Sequence, residues 1–331
     1  MKCTNNIPSK RIQKHGFARR VLSILLAISL GCLTGCGNES VQLPYEANAA
    51  FMASQADTAD GFAKNLSIVN DNVGTAALPL EGITTGALIC INDNSVLYAK
   101  DVHKSMYPAS LTKVLTALVA LKYGKQDDVL TASENVTKLE SGAQRINLKP
   151  GDSMTLDQAL RILLMYSAND VAIMIAEHYG GSVEGFAELM NEEAKSLGAT
   201  DSNYVNANGL NDAEHFVSTY DLYLIFQEAC KYNLFREIIS MPNYSTVYQD
   251  KDGKEISFEK QTTNPYLNGN ATAPNNVTVL GGKTGTTAAA GHCLILLCND
   301  TAGKEYIAII LQAESGDLLK SGMTDMLGLI Q

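Results

Sequence analysis

The spacing of apolar residues changes along the chain and divides it into regions of strand and helix. Around residue 85 and again after residue 245, short apolar runs predict β-strands, and a polar turn at 92–94 predicts a hairpin between the first two. Between these regions, apolar residues recur every three or four positions, which predicts helices over 110–122 and, with interruptions, roughly 155–230. Two more helical turns are predicted in NLFREIIS, residues 233–240, and a last helix over about 316–330.

The order of these elements predicts an α+β fold. The late strands are predicted in five segments, YSTVYQ, EISFEK, VTVLGGKTG, GHCLILLC and EYIAIILQ. We expect the first and last strands of the chain to pair into one antiparallel sheet that encloses a helical lobe at roughly 125–240. A cleft between two such lobes is a usual place for a functional site. The domain that carries the site is therefore expected to cover residues 81–331.

Charge is distributed unevenly along the chain of 331 residues, whose formal net charge is -10. Residues 1–35 hold six lysines and arginines and no acidic residue, so the rest of the chain holds 19 basic and 35 acidic side chains. A domain this acidic repels phosphate backbones, which argues against nucleic acid as a partner.

The basic head leads into an apolar run at 21–33, which is shorter than the roughly 20 residues that a bilayer span needs. Such an arrangement is typical of a secretory signal peptide. The run ends in Leu33-Thr34-Gly35-Cys36, which resembles the lipobox of bacterial lipoproteins. The resemblance implies cleavage after residues 1–35, lipidation of Cys36 and a flexible tether at 36–80. A signal anchor, or an ordinary signal peptide with an incidental cysteine, remains the alternative.

Cysteines and histidines give no indication of a metal centre or cofactor. Besides Cys36, four cysteines lie beyond the leader without metal-ligand spacing, and buried free thiols are the simpler interpretation: Cys90, Cys230, Cys293 and Cys298. The five histidines are scattered and form no H-E-x-x-H motif, so a zinc peptidase is disfavoured. We assign structural or solvated roles to His178 and His292.

The segment YPASLTK, residues 107–113, places a serine and a lysine three positions apart at the start of an apolar helix. Residues at this spacing are neighbours on one helix face, so Lys113 can reach Ser110. A serine hydroxyl needs a nearby base to become a nucleophile. Burial, a second cation and the helix dipole all lower the pKa of a lysine, which would make Lys113 such a base. Alone, however, S-x-x-K occurs by chance about once in a chain of this length.

Two further motifs strengthen the hypothesis of an activated serine. Ser167-Ala168-Asn169 begins a predicted helix, and Lys283-Thr284-Gly285 lies at the end of a predicted strand. Together with S-x-x-K, these elements form the motif set of penicillin-binding proteins and class A β-lactamases. From about residue 80 to the end, the sequence resembles the serine-type D-Ala-D-Ala carboxypeptidases, the low-molecular-mass penicillin-binding proteins. The resemblance implies the penicillin-binding-protein/β-lactamase-like transpeptidase fold, an antiparallel sheet with flanking helices plus a helical lobe.

The resemblance also implies a role for each matching residue. Ser110 would be the acylated nucleophile, Lys113 its proton acceptor and Ser167 the relay to the leaving D-alanine. Asn169 would hold the substrate amide, and Lys283 would face Ser167 across the cleft. The strand with Thr284 and Gly285 would pair with the substrate, and the amides of Ser110 and Thr286 would form the oxyanion hole.

The partners that the resemblance implies are peptidoglycan stem peptides as substrates and β-lactam antibiotics as covalent inhibitors, with no cofactor. The protein would act outside the cytoplasm, held on the cell membrane by its N-terminal lipid. The sequence does not separate carboxypeptidase from endopeptidase or transpeptidase action.

Two departures from the family pattern affect these expectations. Family members often place an arginine after the last strand to hold the substrate carboxylate, whereas this chain has QAESGDLLKSG there. The hydroxyls of Thr286 and Thr287, with Lys320 as a weaker substitute, would take its place. Many members also carry a C-terminal β-domain and amphipathic anchor, for which we expect the N-terminal lipid to substitute.

Two other functions are alternatives to a carboxypeptidase. A class A β-lactamase needs a deacylating glutamate about 36 residues after the Ser167 position, where this chain has Asn203. Glu188 and Asn191 have the wrong spacing, and their segment reads as an amphipathic helix capped by Ser182. The second alternative is a non-catalytic penicillin-binding sensor or wall-binding lipoprotein, which the intact motifs disfavour.

Overall fold

The structure is a computed structural model, and it describes residues 66–331. The predicted signal peptide, Cys36 and the tether up to residue 65 lie outside the described residues. Residues 66–80, the end of the predicted tether, lie on the domain itself. Val69 and Leu80 are buried, and Val73 forms an antiparallel bridge with Ala99. The ordered domain therefore begins before residue 81.

A five-stranded antiparallel sheet forms the centre of the domain, with strand order β2-β1-β9-β8-β7. Its strands are β1 Ile83–Cys90, β2 Val96–Lys100, β7 Val277–Thr287, β8 Gly291–Asp300 and β9 Glu305–Ala313. β1 and β9 pair with Ala87 opposite Ile309, so the first and last parts of the chain share one sheet, as the sequence predicts. β8 and β9 are buried along most of their length because helices cover both faces of the sheet.

Seven α-helices are described, and they match the predicted helical regions. They are α1 Thr112–Tyr123, α2 Leu156–Arg161, α3 Asn169–Gly180, α4 Val183–Ser196, α5 Thr219–Ala229, α6 Asn233–Ile239 and α7 Gly316–Leu327. α1 is buried on every side from Thr112 to Ala120, which explains its nearly continuous apolar sequence. The Ser182 hydroxyl accepts the N–H of Gly185 and caps α4, as predicted.

The two strands that follow α6 are not part of the central sheet. β5 Asn243–Gln249 and β6 Glu255–Gln261 join β3 Val129–Thr131 and β4 Ser153–Thr155 in a second sheet of order β3-β4-β5-β6. The expectation that all late strands pair with the first was therefore wrong for these two, and the helical lobe extends beyond residue 240. The physical reason is that β5 and β6 are largely exposed, whereas a strand inside the central sheet is covered on both faces.

The cysteines at 90, 230, 293 and 298 are buried free thiols, as predicted. Among the helices of the described residues, none combines the length and the apolar character that crossing a membrane requires.

Candidate active site

Ser110 lies at the floor of a cavity of about 840 Å³, where β7, the helical lobe and the N-terminus of α7 meet. It belongs to a single 3₁₀ turn, Ala109–Leu111, that leads directly into α1. β7 passes very close to this turn. A Cβ atom on Gly285 would lie 3.0 Å from the amide nitrogen of Ser110, so a larger residue would require the strand or the turn to shift.

Lys113 is completely buried one turn further on, and its Nζ atom makes three polar contacts. Nζ lies 2.8 Å from Oδ1 of Asn169 and 2.5 Å from the carbonyl oxygen of Asn208. Both of these atoms accept hydrogen bonds and cannot donate one. The third contact is the Ser110 hydroxyl, at 2.9 Å. A neutral amine has two N–H groups for the two carbonyl-type oxygens, which leaves its lone pair for the proton of Ser110.

The electrostatics favour this neutral form. Burial and then the nearby charge of Lys283 lower the pKa of Lys113 well below its ordinary value, and the carboxylate of Asp170 opposes them in part. Asp170 is itself buried and accepts hydrogen bonds from the backbone N–H groups of Ile146 and Leu148. Burial raises the pKa of Asp170, and its backbone hydrogen bonds oppose this shift.

Ser167 and Lys283 form the second pair of the site. Lys283 Nζ donates to Ser167 Oγ at 2.9 Å and to the carbonyl of Thr284 at 2.7 Å, and both side chains are buried. Ser167 follows a π-helical turn, Ile162–Tyr166, and has a φ of 67°, in the left-handed region that side chains rarely adopt. Burial lowers the pKa of Lys283 to about 7. The pair connects the central sheet to the helical lobe across the cavity.

Asn169 contacts the protein at both ends of its amide. Its Oδ1 accepts from Lys113, and its Nδ2 donates to the carbonyl of Gln144 at 2.9 Å. These contacts make it a group that orients Lys113, while the predicted contact with the substrate amide stays a prediction. Sequence reasoning missed the carbonyl of Asn208, because a backbone acceptor leaves no signal in the side-chain pattern.

The polar groups at the far end of the cavity belong to β7, β8 and α7. The Thr287 hydroxyl donates to Asn211 Oδ1 at 2.7 Å, and the exposed Thr286 hydroxyl lies 3.4 Å from Nδ1 of His292. Lys320 also lines the cavity and pairs with Asp317 at 2.8 Å. His292 also lines the cavity. All three predicted groups for a substrate carboxylate, Thr286, Thr287 and Lys320, line this cavity.

Glu188 and Asn191 lie elsewhere. Glu188 is exposed on α4, and Asn191 exchanges two hydrogen bonds with the backbone of Tyr204. Asn191 therefore anchors a loop to α4. In the part of the chain from 66 onward, no three His, Cys, Asp or Glu side chains are grouped so that they could hold a metal ion.

Comparisons with known proteins agree with this geometry. The family model of the D-alanyl-D-alanine carboxypeptidases matches residues 74–315. The D-alanyl-D-alanine carboxypeptidase DacF of Bacillus subtilis is 30% identical over 273 residues, which cover 80% of this chain and 66% of DacF. The D-alanyl-D-alanine carboxypeptidase DacC of Escherichia coli is 29% identical over 279 residues, covering 81% of this chain and 64% of DacC. The matched part is thus just under two thirds of each relative.

Solved structures show the same fold. The crystal structure of the Streptomyces K15 DD-transpeptidase superposes with a TM-score of 0.69 at 23% identity, covering 79% of this chain and 98% of the other. The predicted transpeptidase fold, an antiparallel sheet with flanking helices and a helical lobe, is therefore confirmed.

The coupling between the two lysines predicts a shift in the pH profile of Ser110. Ser110 loses reactivity as the pH falls through the pKa of Lys113, because only the neutral amine accepts a proton. The charge of Lys283 lowers that pKa, so Lys283→Met should raise it and move the acidic limb to higher pH. The profiles should separate below about pH 7, where Lys283 is charged. The measurement is the rate of Ser110 acylation by a β-lactam as a function of pH.

The control is Lys260→Met, which removes an exposed lysine located 5.6 Å from the ring of Tyr166 in the helical lobe. Its charge is screened by solvent, so the limb should keep its position. A limb that stays in place in Lys283→Met, or moves to lower pH, would contradict the coupling.

Proposed function

The chain belongs to the D-alanyl-D-alanine carboxypeptidase family, and on that premise we propose that it removes the terminal D-alanine from peptidoglycan stem pentapeptides. The reaction proceeds through an acyl-enzyme on Ser110. The single observation that carries the proposal is the position of Lys113, a buried amine whose two N–H groups have acceptors and whose third contact is the Ser110 hydroxyl.

In the first step, Lys113 accepts the proton of Ser110 while Oγ attacks the carbonyl carbon of the penultimate D-alanine. The carbonyl oxygen becomes an oxyanion, which the amides of Ser110 and Thr286 stabilise. Removing one such donor typically raises the activation free energy by about 3–4 kcal/mol. Asn169 and the Asn208 carbonyl hold the amine in place during the transfer.

In the second step, the C–N bond breaks and the nitrogen of the terminal D-alanine takes up a proton. Ser167 relays to it the proton that Lys113 accepted, so Lys113 returns to its neutral form, and Lys283, which lies 2.9 Å from Ser167 Oγ, holds this serine in place. The acyl group stays on Ser110 as an ester. Water then attacks this ester with Lys113 as the base, which releases the tetrapeptide carboxylate and restores the serine.

The substrate strand is placed along β7, beside Thr284 and Gly285. Endopeptidase and transpeptidase reactions share the same acyl-enzyme and differ in the acceptor that resolves it. β-Lactams acylate the same serine and act as inhibitors. A β-lactamase would resolve this ester quickly, but the Glu188–Asn191 pair lies on α4, where Asn191 anchors a loop.

Purified protein incubated with a muropeptide pentapeptide should release D-alanine, and Ser110→Ala should abolish the release. Lys113→Ala should slow it by several orders of magnitude, because nucleophile and base act as one unit. Ser182→Ala, which removes a serine that caps α4, is the matched control and should release D-alanine normally. The assay is quantification of free D-alanine over time.

A fluorescent penicillin separates the alternatives. The wild type should be labelled and remain labelled, whereas a β-lactamase would lose the label quickly and a non-catalytic module would release no D-alanine. Release that persists in Ser110→Ala would overturn the proposal.

The substrate carboxylate is proposed to bind at the end of the cavity formed by Thr286 and Lys320, in place of the family arginine. Lys320 is paired with Asp317, whose side chain is 95% exposed, and such exposed pairs contribute about 1 kcal/mol or less. The substrate carboxylate therefore displaces Asp317 at little cost.

Two variants of this pair should act in opposite directions. Lys320→Met should raise KM for a peptide that ends in free D-alanine, and Asp317→Asn should lower it, because the lysine then has no competing carboxylate. The same peptide with a C-terminal amide controls for other effects and should respond to neither. Equal effects on acid and amide would contradict the assignment.

The protein is proposed to act outside the cytoplasm, held on the membrane by a lipid on Cys36. The support is the order of basic head, short apolar run and lipobox-like Leu33-Thr34-Gly35-Cys36. Two or more acyl chains give stable anchoring, since each buried methylene contributes about 0.8 kcal/mol. Cells fed radiolabelled palmitate should label the wild-type protein and leave Cys36→Ala unlabelled. Equal labelling of both would contradict the anchor.

A further inference from the structure

Behind the nucleophile lies a buried histidine that the proposed mechanism does not use. His215 is 1% exposed and belongs to the segment between α4 and α5. Its Nδ1 lies 3.2 Å from the backbone N–H of Val205, which donates to it. The ring proton of the neutral imidazole is therefore on Nε2. Nε2 lies 2.9 Å from Oγ1 of Thr112 and donates to it.

Thr112 continues this chain of hydrogen bonds to the backbone. Its Oγ1 accepts from His215 and donates its single proton to the carbonyl oxygen of Ala109, at 2.8 Å. Ala109 directly precedes Ser110 and has a φ of 47°, in the left-handed region that is disfavoured for a residue with a Cβ atom. This series of hydrogen bonds therefore ends at the strained peptide of Ala109, which determines the direction of the Ser110 side chain.

The same segment contacts this peptide from a second direction. A Cβ atom on Gly209 would lie 1.9 Å from the carbonyl oxygen of Ala109, so the two backbones are in direct contact. The neighbouring carbonyl of Asn208 accepts from Lys113. One segment thus contacts both the peptide before the nucleophile and the base that activates it, and His215 fixes this segment against the start of α1.

We propose that the hydrogen-bond chain from His215 through Thr112 to the carbonyl of Ala109 orients the Ser110 hydroxyl for attack. His215 and Thr112 are then positioning residues for acylation. The inference rests on the proposed function, because it deepens the role given to Ser110. A disfavoured backbone conformation persists only where the surrounding structure imposes it, and here the Ala109 carbonyl accepts from both the hydroxyl and the backbone N–H of Thr112. Burial lowers the pKa of His215 to about 4, which keeps the imidazole in the neutral form that the chain requires.

Two variants at one position test the chain. Thr112→Val keeps the branched shape of the buried side chain and removes its hydroxyl, whereas Thr112→Ser removes a methyl group and keeps the hydroxyl. Thr112→Val should lower kcat for D-alanine release and the rate of β-lactam acylation by roughly ten- to a hundredfold, the cost of a slightly misplaced reacting group. KM should change by less than about twofold, since substrate contacts are untouched. Thr112→Ser should retain activity within about threefold.

If Thr112 had only a structural role, the activity of both variants would fall in proportion to the decrease in their melting temperature. His215→Phe keeps a ring in the same space and breaks the chain at its other end, and it should lower kcat in the same way. Folded Thr112→Val that acylates at the wild-type rate would overturn the proposal.

A crystal structure of Thr112→Val gives a readout that does not depend on activity. Ala109 should leave the left-handed region once its carbonyl loses the hydroxyl donor, and Ala109 found unchanged near a φ of 47° would also overturn the proposal. Failure of the wild type to release D-alanine would instead overturn the proposed function, and the crystal structure would still decide the role of the chain.

Discussion

The geometry of the functional site depends on the hydrogen bonds of one buried nitrogen, Nζ of Lys113. A charged ammonium in such a place would cost several kcal/mol, and the Asp170 carboxylate offsets the effects of burial and of Lys283 only in part. They provide two hydrogen-bond acceptors and one hydroxyl, which is the set that a neutral amine satisfies completely. The three groups come from the start of α1, from α3 and from the segment before α5. The packing of three elements therefore determines the chemistry of one serine.

The site contains a second buried lysine, Lys283, which contacts a different serine. Lys283 approaches from the central sheet, contacts Ser167 in the helical lobe and is as deeply buried as Lys113. Burial lowers the pKa of Lys283, and burial together with the charge of Lys283 lowers the pKa of Lys113. In the proposed reaction, one amine accepts the proton of the nucleophile while the other holds Ser167, which relays that proton to the leaving group. The strained backbone at Ala109 and at Ser167 lies next to the two serines of the site, and such strain persists only where the surrounding structure imposes it.

Much of this could be predicted from the sequence, because period and spacing carry the information. The hairpin at β1 and β2, the helices and the pairing of Ser110 with Lys113 follow from residue patterns alone. The second sheet could not be placed in this way, because alternation predicts a strand without naming its partner. Yet β5 and β6 are polar along one side, whereas β8 is apolar on both, and that difference was a usable signal. The contacts of the Asn208 and Ala109 carbonyls could not be predicted, since every residue has a backbone carbonyl and only the folded chain determines its partners.

The central claim is that Lys113 is neutral when the enzyme works, and its pKa can be measured directly. Lysine labelled with ¹⁵N at Nζ reports its own protonation by NMR, and Lys113→Ala identifies the resonance. We predict that Lys113 loses its proton at a clearly lower pH than the exposed lysines of the same protein. A titration that coincides with the exposed lysines would mean a charged Lys113 at neutral pH, and it would contradict the account of Ser110 as a nucleophile activated by this amine.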